Sequence, residues 1–230
     1  MDATAVVADA VAWRRHLHRH PELSFQEHET AQFIRDTLTS FEGLEVESPT
    51  ETSVLARLTG ARSGRTLALR ADIDALPIEE EADVEFGSET EGVMHACGHD
   101  GHTAMVLAVA RTLATRRSEL AGEVRFVFQH AEELPPGGAS QLVESGALDG
   151  VDAVIRCHLL SMLELGRVAV LNGGCTAAAD SFSVRIRGRG GHAAFRTTRS
   201  IRLRSPHRQS ATSNTLSPET PLPSRVLSCR

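Results

Sequence analysis

Three short, mostly apolar runs, 66–70, 123–128 and 151–155, are each followed within a few residues by charged or metal-seeking side chains. The first leads into Asp72-Ile73-Asp74, the second into Gln129-His130-Ala131-Glu132-Glu133, and the third into His158. Runs of this length and composition read as β-strands. The segments between them carry apolar residues at helical spacing, as in Gly101 to Arg117 with Ala104, Val106, Leu107, Val109 and Ala110. Strands alternating with helices predict an α/β fold, a layered, largely parallel sheet with flanking helices. Ligands in such sheets bind beyond the carboxyl ends of the strands. Separate loops of this chain can therefore converge on one site.

The rest of the body fits that plan. Val6, Val7, Ala10, Trp13 and Leu17 predict a helix over 4–20, ended by Pro21. Ser24-Phe25-Gln26-Glu27 has the form of a capping box opening a second helix that runs to about Leu38. Val54 to Leu58 reads as a strand, joined to the run at 66–70 through Gly60 to Gly64. Ala139 to Ser145 reads as a helix closed by Gly146. The metal-binding body is expected over 1–179, and Asp180 opens a second domain with strand alternation to Arg187. From Arg196 to Arg230 the chain is rich in Ser, Thr, Pro and Arg and has no useful apolar period. This stretch reads as disordered. It is either a basic interaction tail or the product of a shifted reading frame, and the abrupt change in texture favours the second.

Composition excludes several classes. The net charge of −6 conceals an acidic body, because residues 196–230 hold seven Arg against a single Glu. An acidic body argues against nucleic-acid binding, which needs a basic face. No apolar run approaches the length of a membrane span. Residues 1–12 lack the basic start and apolar stretch of a secretory signal. The cysteines at 97, 157, 175 and 229 form no paired framework, which fits a reducing cytoplasm.

The chemistry concentrates in Met94-His95-Ala96-Cys97-Gly98-His99-Asp100-Gly101-His102. Cys97 and His99, flanking one glycine, can address a shared metal centre or bridge two. His102, one helical turn after His99, is an alternative ligand but more naturally packs against or orients its neighbours. Glu132 and Glu133 repel each other unless a cation holds them. A metal can bind one and leave the other as a base with a raised pKa. His158, at a strand end like the other clusters, is a further candidate ligand. Asp72 and Asp74 either orient a ligand histidine or water by hydrogen bonds or act as plain loop caps. His16, His18 and His20, among Arg14, Arg15 and Arg19, read as a solvated basic helix face rather than a metal pair. Neither a phosphate-binding glycine loop, nor a G-x-S-x-G elbow, nor a zinc-deaminase signature is present.

Five segments carry a resemblance. Arg14 to Leu23, Arg70 to Pro77, Met94 to Asp100, Phe128 to Glu133 and Gly190 to Ala194 are similar, in order and spacing, to the metal-dependent amidohydrolases related to hippurate hydrolase, N-acyl-amino-acid amidohydrolase and indole-acetyl-amino-acid hydrolase. The resemblance implies a phosphorylase/hydrolase-like catalytic domain binding two divalent metal ions (Zn, Mn or Co) and an inserted α+β lid that serves as the contact of a homodimer. It implies that Cys97, His99, Glu133 and His158 are metal ligands. It further implies Glu132 as general base, Asp74 as an orienting residue and His192 as an oxyanion stabiliser. The substrate class would be N-acyl amino acids, with terminal residues of peptides as the alternative. The family's last ligand histidine lies far downstream and has no counterpart here, since His207 sits in the aberrant tail. The expectation is weak or single-metal binding and little activity, or an inactive metal-binding fragment.

Overall fold

The computed structural model describes residues 3–170. The chain divides into two compact units, 1–163 and 164–230, and every element below lies in the first. In chain order these are α1 (Ala3–Arg19), α2 (His28–Thr39), β1 (Glu45–Glu47), β2 (Val54–Thr59), β3 (Arg62–Asp72), α3 (His99–Thr115), β4 (Ala121–Gln129), α4 (Gly138–Glu144) and β5 (Ala153–Arg156), with a single 3₁₀ turn at Arg117–Glu119. The boundaries expected at 179/180 and 195/196 lie outside the described residues.

The five strands lie in the order β1-β2-β4-β3-β5. β3 pairs in parallel with both β4 and β5. β1 with β2 and β2 with β4 are antiparallel. The sheet is therefore mixed rather than largely parallel. The cause is the very short link between β2 and β3. A turn that tight can only send the chain back in the opposite direction, whereas the crossover through α3 restores the direction of β3. β4 then enters between β2 and β3, parallel to one and antiparallel to the other. Gly60 N–H donates to Gly122 O (2.8 Å) and Ala61 N–H to Leu120 O (3.1 Å), fastening the turn to the start of β4. β1 is a short edge strand with two acidic residues, which is why no apolar pattern marks it.

Period-two alternation divides the sheet into two faces. Val54, Ala56, Leu58, Phe126 and Phe128 face Ala31, Ile34 and Leu38 of α2 and Leu107 and Ala110 of α3. Leu55, Ala68 and Val127 face Leu142 of α4 and Ala147. α1 contributes Leu17 and the flank of Trp13. No helix among the described residues is long and apolar enough to cross a membrane.

The capping box does not form. Helix α2 begins at His28, and Glu27 at its N-cap makes no side-chain cap bond. The free amides of Glu29 and Thr30 donate instead to the Glu22 carboxylate (3.2 and 2.8 Å). Ser24 and Glu27 are drawn away by stronger partners in the interior, described below.

Gly122 adopts φ +84°, and a Cβ there would run into the carbonyl oxygen of Arg65, where β3 changes register. Gly122→Ala should lower stability by about 2 kcal/mol or more through the left-handed strain and the clash. A denaturant midpoint measured beside that of the unaltered chain checks this.

Candidate metal centre

Four segments meet beyond the carboxyl ends of β3, β4 and β5. From β3 come Asp72 and Asp74, both buried. Arg70 Nη1–H and His102 Nδ1–H donate to the two oxygens of Asp72, each at 2.6 Å. Asp74 accepts from Ser24 Oγ–H (2.6 Å) and from Glu133 N–H (2.9 Å) on one carboxylate oxygen. Its main-chain oxygen accepts from His99 Nδ1–H (2.9 Å). Burial opposes the charge on both carboxylates. The His102 bond and the Arg70 charge overcome it at Asp72; at Asp74 the His99 ring, whose Nδ1 is also 3.3 Å from the other carboxylate oxygen, and the Ser24 and Glu133 bonds do so, and both acids sit below their ordinary range.

After β4 the chain turns sharply at Ala131, which takes φ +47°. That conformation is unfavourable for a residue with a Cβ. It is held by Ala131 N–H donating to Glu27 Oε1 (2.7 Å) and by Gly138 N–H donating to Ala131 O (2.9 Å). Glu27 is fully buried, and its other oxygen accepts from Thr52 Oγ1–H (2.9 Å). The turn sends Glu133 inward and leaves Glu132 at the exposed lip. Partial withdrawal from water, then the charges of Glu133 and Asp72, raise the Glu132 pKa.

The third segment is the turn ahead of α3. Gly98 caps that helix in the left-handed region at φ +83°, which places Cys97 before the helix and His99 at its first position. The fourth is His158, whose Nδ1–H donates to Leu159 O (2.7 Å). Its Nε2 lies 3.6 Å from Cys97 Sγ.

Ligand atoms of Cys97, His99 and Glu133 all lie within 4.8 Å of one another. His99 Nε2 is buried and has no hydrogen-bond partner. Glu133 Oε1 is 3.8 Å from it and Asp72 Oδ1 is 3.7 Å away. Because Nδ1 donates to the Asp74 carbonyl, Nε2 is the nitrogen that a cation can take over once its proton leaves, and it points at a thiol and a carboxylate. A buried ring nitrogen left unpaired costs about 1–3 kcal/mol. A cation among these soft, borderline and hard donors would relieve it, so the residues fit a transition metal. Asp72, His99 and His102 form a second close group. There His102 has no nitrogen to spare: Nδ1–H donates to Asp72 and Nε2 accepts from Leu159 N–H (2.8 Å). His102 is thus an orienting residue in this arrangement. Asp72 and Asp74 hold histidines and loops rather than serving as plain caps.

Of the site residues expected from sequence, Cys97, His99, Glu133, His158, Glu132 and Asp74 come together, while His192 lies outside the described residues. Ser24 and Glu27 were singled out by spacing but for a different role; Glu22 carried no signal. The basic face of α1 is not wholly solvated, since His18 is buried between Asp100 and Glu80.

Residues 68–220 match the model of Peptidase family M20/M25/M40. The chain belongs to that family. An N-acyl-L-amino acid amidohydrolase of Geobacillus stearothermophilus is 58% identical over 190 residues, 83% of this chain and 51% of that protein. An N-acetylcysteine deacetylase of Bacillus subtilis is 46% identical over 181 residues, 78% of this chain and 47% of its own length. The M20 chain thus spans about half the length of these curated relatives. The crystal structure of Bacillus subtilis YXEP, described as a dinuclear metal-binding peptidase from the M20 family, superposes with a TM-score of 0.64 at 46% identity, covering 66% of this chain and 43% of that one. A putative aminohydrolase of methicillin-resistant Staphylococcus aureus gives 0.68 at 44% identity, covering 70% and 41%.

Two outcomes are expected. In the metal-free chain His99 is pushed up to about 11, because Asp74, Cys97 and Asp72 together outweigh burial, which opposes the charge. A cation must displace that proton, so binding releases protons and affinity rises with pH, by about tenfold per unit for each proton released. Zinc competition titrations between pH 6 and 8 should show this slope. Glu27→Ala strips partners from the buried Ala131 amide and should destabilise the chain by about 1–3 kcal/mol and weaken metal binding, read by thermal melts and the same titration.

Proposed function

We propose that this chain is a metal-dependent amidohydrolase acting on N-acyl amino acids. The observation that carries the reading is the convergence of Cys97, His99 and Glu133 within 4.8 Å, with His158 Nε2 3.6 Å from the same thiol. Similarity to an N-acyl-L-amino acid amidohydrolase and an N-acetylcysteine deacetylase supports the substrate class.

Cys97, His99, Glu133 and His158 are the residues that would hold two divalent ions. Bound there, the ions would lower the pKa of a water and offset charge on the substrate's carbonyl oxygen. Glu132, at the lip and with a raised pKa, takes the proton of the attacking water and returns it to the leaving amine. Asp74 keeps His99 turned so that Nε2 faces the centre, and at the same time sets the direction of Glu133 through its amide. His192 is assigned to the oxyanion.

Glu132→Gln should leave metal uptake intact and reduce kcat about a hundred- to ten-thousand-fold. Turnover of N-acetyl amino acids by the full chain, with metal stoichiometry measured in parallel, decides this; unchanged turnover removes Glu132 as the base. Chelation should abolish activity, and added zinc, manganese or cobalt should restore it. Two relatives from Saccharolobus solfataricus, 43% and 44% identical, are named thermostable carboxypeptidases, which favours a second reading as an exopeptidase. Preference for dipeptides over acyl amino acids would select it. Metal uptake without hydrolysis of either would reduce the reading to metal binding.

A further inference from the structure

We propose that His18 is a positioning residue for this centre, holding through Asp100 the turn that carries Cys97 and His99. The proposal rests on the metal-centre reading above. Asp100 follows His99 in the first turn of α3 and is completely buried. One of its oxygens accepts from His18 Nδ1–H (2.8 Å) and Arg14 Nε–H (3.1 Å). The other is buried without a hydrogen-bond partner. The direction of this carboxylate therefore hangs on two donors, one helical turn apart on the same side of α1. His99 and Asp100 are consecutive residues of the same helical turn, so anchoring the Asp100 side chain anchors the backbone from which His99 projects.

The same imidazole grips the chain upstream of the turn. His18 Nε2–H donates to Glu80 Oε1 (3.0 Å), and Glu80 Oε2 accepts from Ser88 N–H (2.6 Å). Phe86 stands edge-on to the His18 ring at 5.4 Å, with the Arg14 and Arg15 guanidiniums 5.7 and 5.0 Å from its centre. Met94 is bonded to Leu76 in both directions (3.0 and 3.1 Å). Ser88 Oγ–H in turn donates to Val93 O (2.6 Å), so the turn 94–99 is pinned at its entry by Leu76 directly and by Glu80 through Ser88, and at its exit by Asp100. His18 is the group shared by the Glu80 and Asp100 attachments. Two carboxylates on one imidazole favour its charged form, the Asp100 bond first, although burial opposes it. A buried ion cluster adds little net stability over an apolar replacement, but it does specify direction.

The test is cobalt(II) titration of the full chain, followed by the thiolate-to-cobalt absorption that reports Cys97 ligation. His18→Gln and Asp100→Asn should each weaken cobalt binding about tenfold and alter that band. The double variant should be no weaker than Asp100→Asn alone. Arg111→Ala, which breaks the ion pair to Asp9 between the same two helices, should leave affinity and band unchanged. If His18→Gln does not fold, Glu80→Gln keeps Asp100 and its donors and should show a smaller loss in the same direction; unchanged binding there overturns the proposal. A wild-type band with His18→Gln indistinguishable from it overturns positioning alone, as does an equal loss in Arg111→Ala. No thiolate band in the wild-type chain overturns the metal centre and the positioning role together.

Discussion

One aspartate joins the parts of this site. The Asp74 carboxylate accepts hydrogen bonds from Ser24 ahead of α2 and from the Glu133 amide after β4, and its main-chain oxygen accepts from the His99 ring at the start of α3. These three segments are distant in sequence, and outside the sheet, among the described residues, only isolated bridges at Leu23–Ala75 and Leu76–Met94 tie the first and third to the segment of Asp74. A buried carboxylate needs donors or opposite charge; Ser24 and Glu133 share one oxygen of Asp74, and the other, buried without a hydrogen bond, has the His99 ring 3.3 Å away. That requirement makes Asp74 exacting: each donor must arrive in place for the others to be retained. The bearings of His99 and Glu133 are in this sense both set by one buried residue, the first by its carbonyl and the second by its carboxylate.

Much of the architecture was legible in the residues. The apolar runs and periods located α1, α3, β2, β4 and β5 to within a few residues: β2 and β4 read as continuous apolar runs because helices cover both of their faces, and α3 shows helical spacing because it lies against the sheet. Strand direction was not legible. Direction is set by how the chain crosses between strands, and the insertion of β4 between β2 and β3 leaves no trace in either strand's own pattern. Ser24 and Glu27 show a different failure. Their spacing satisfies a local capping rule, but buried partners at Asp74, Thr52 and Ala131 win over the helix end. His18 was misread for a related reason: a basic, histidine-rich helix face looks solvated until Asp100 and Glu80 are brought to it from other segments.

Of the candidate centre, the donor types and their placement after strands could be read directly, since soft and hard ligands in one short run are rare by composition alone. Spacing favours His102 as an orienting residue over a ligand but leaves both roles open. Both ring systems face the same region, 5.4 Å apart. Only the hydrogen bonds at both nitrogens of His102 distinguish a residue that orients from one left free to ligate. Membership of the M20 family is an independent finding on which the hydrolytic proposal draws.

The position of β4 also bears on how the chain assembles during synthesis. β3 has both of its native neighbours later in the sequence, at 121–129 and 153–156. A nascent chain that has emerged only as far as the end of β3 can pair β2 with β1 alone. Its tightest available misstep is the adjacent β2–β3 hairpin, which must stay open for β4 to enter. Gly60 in the turn and Gly64 at the start of β3 have backbones pressed against residues 120–122, so that corner reaches its final form only once the ribosome has delivered its partner strand.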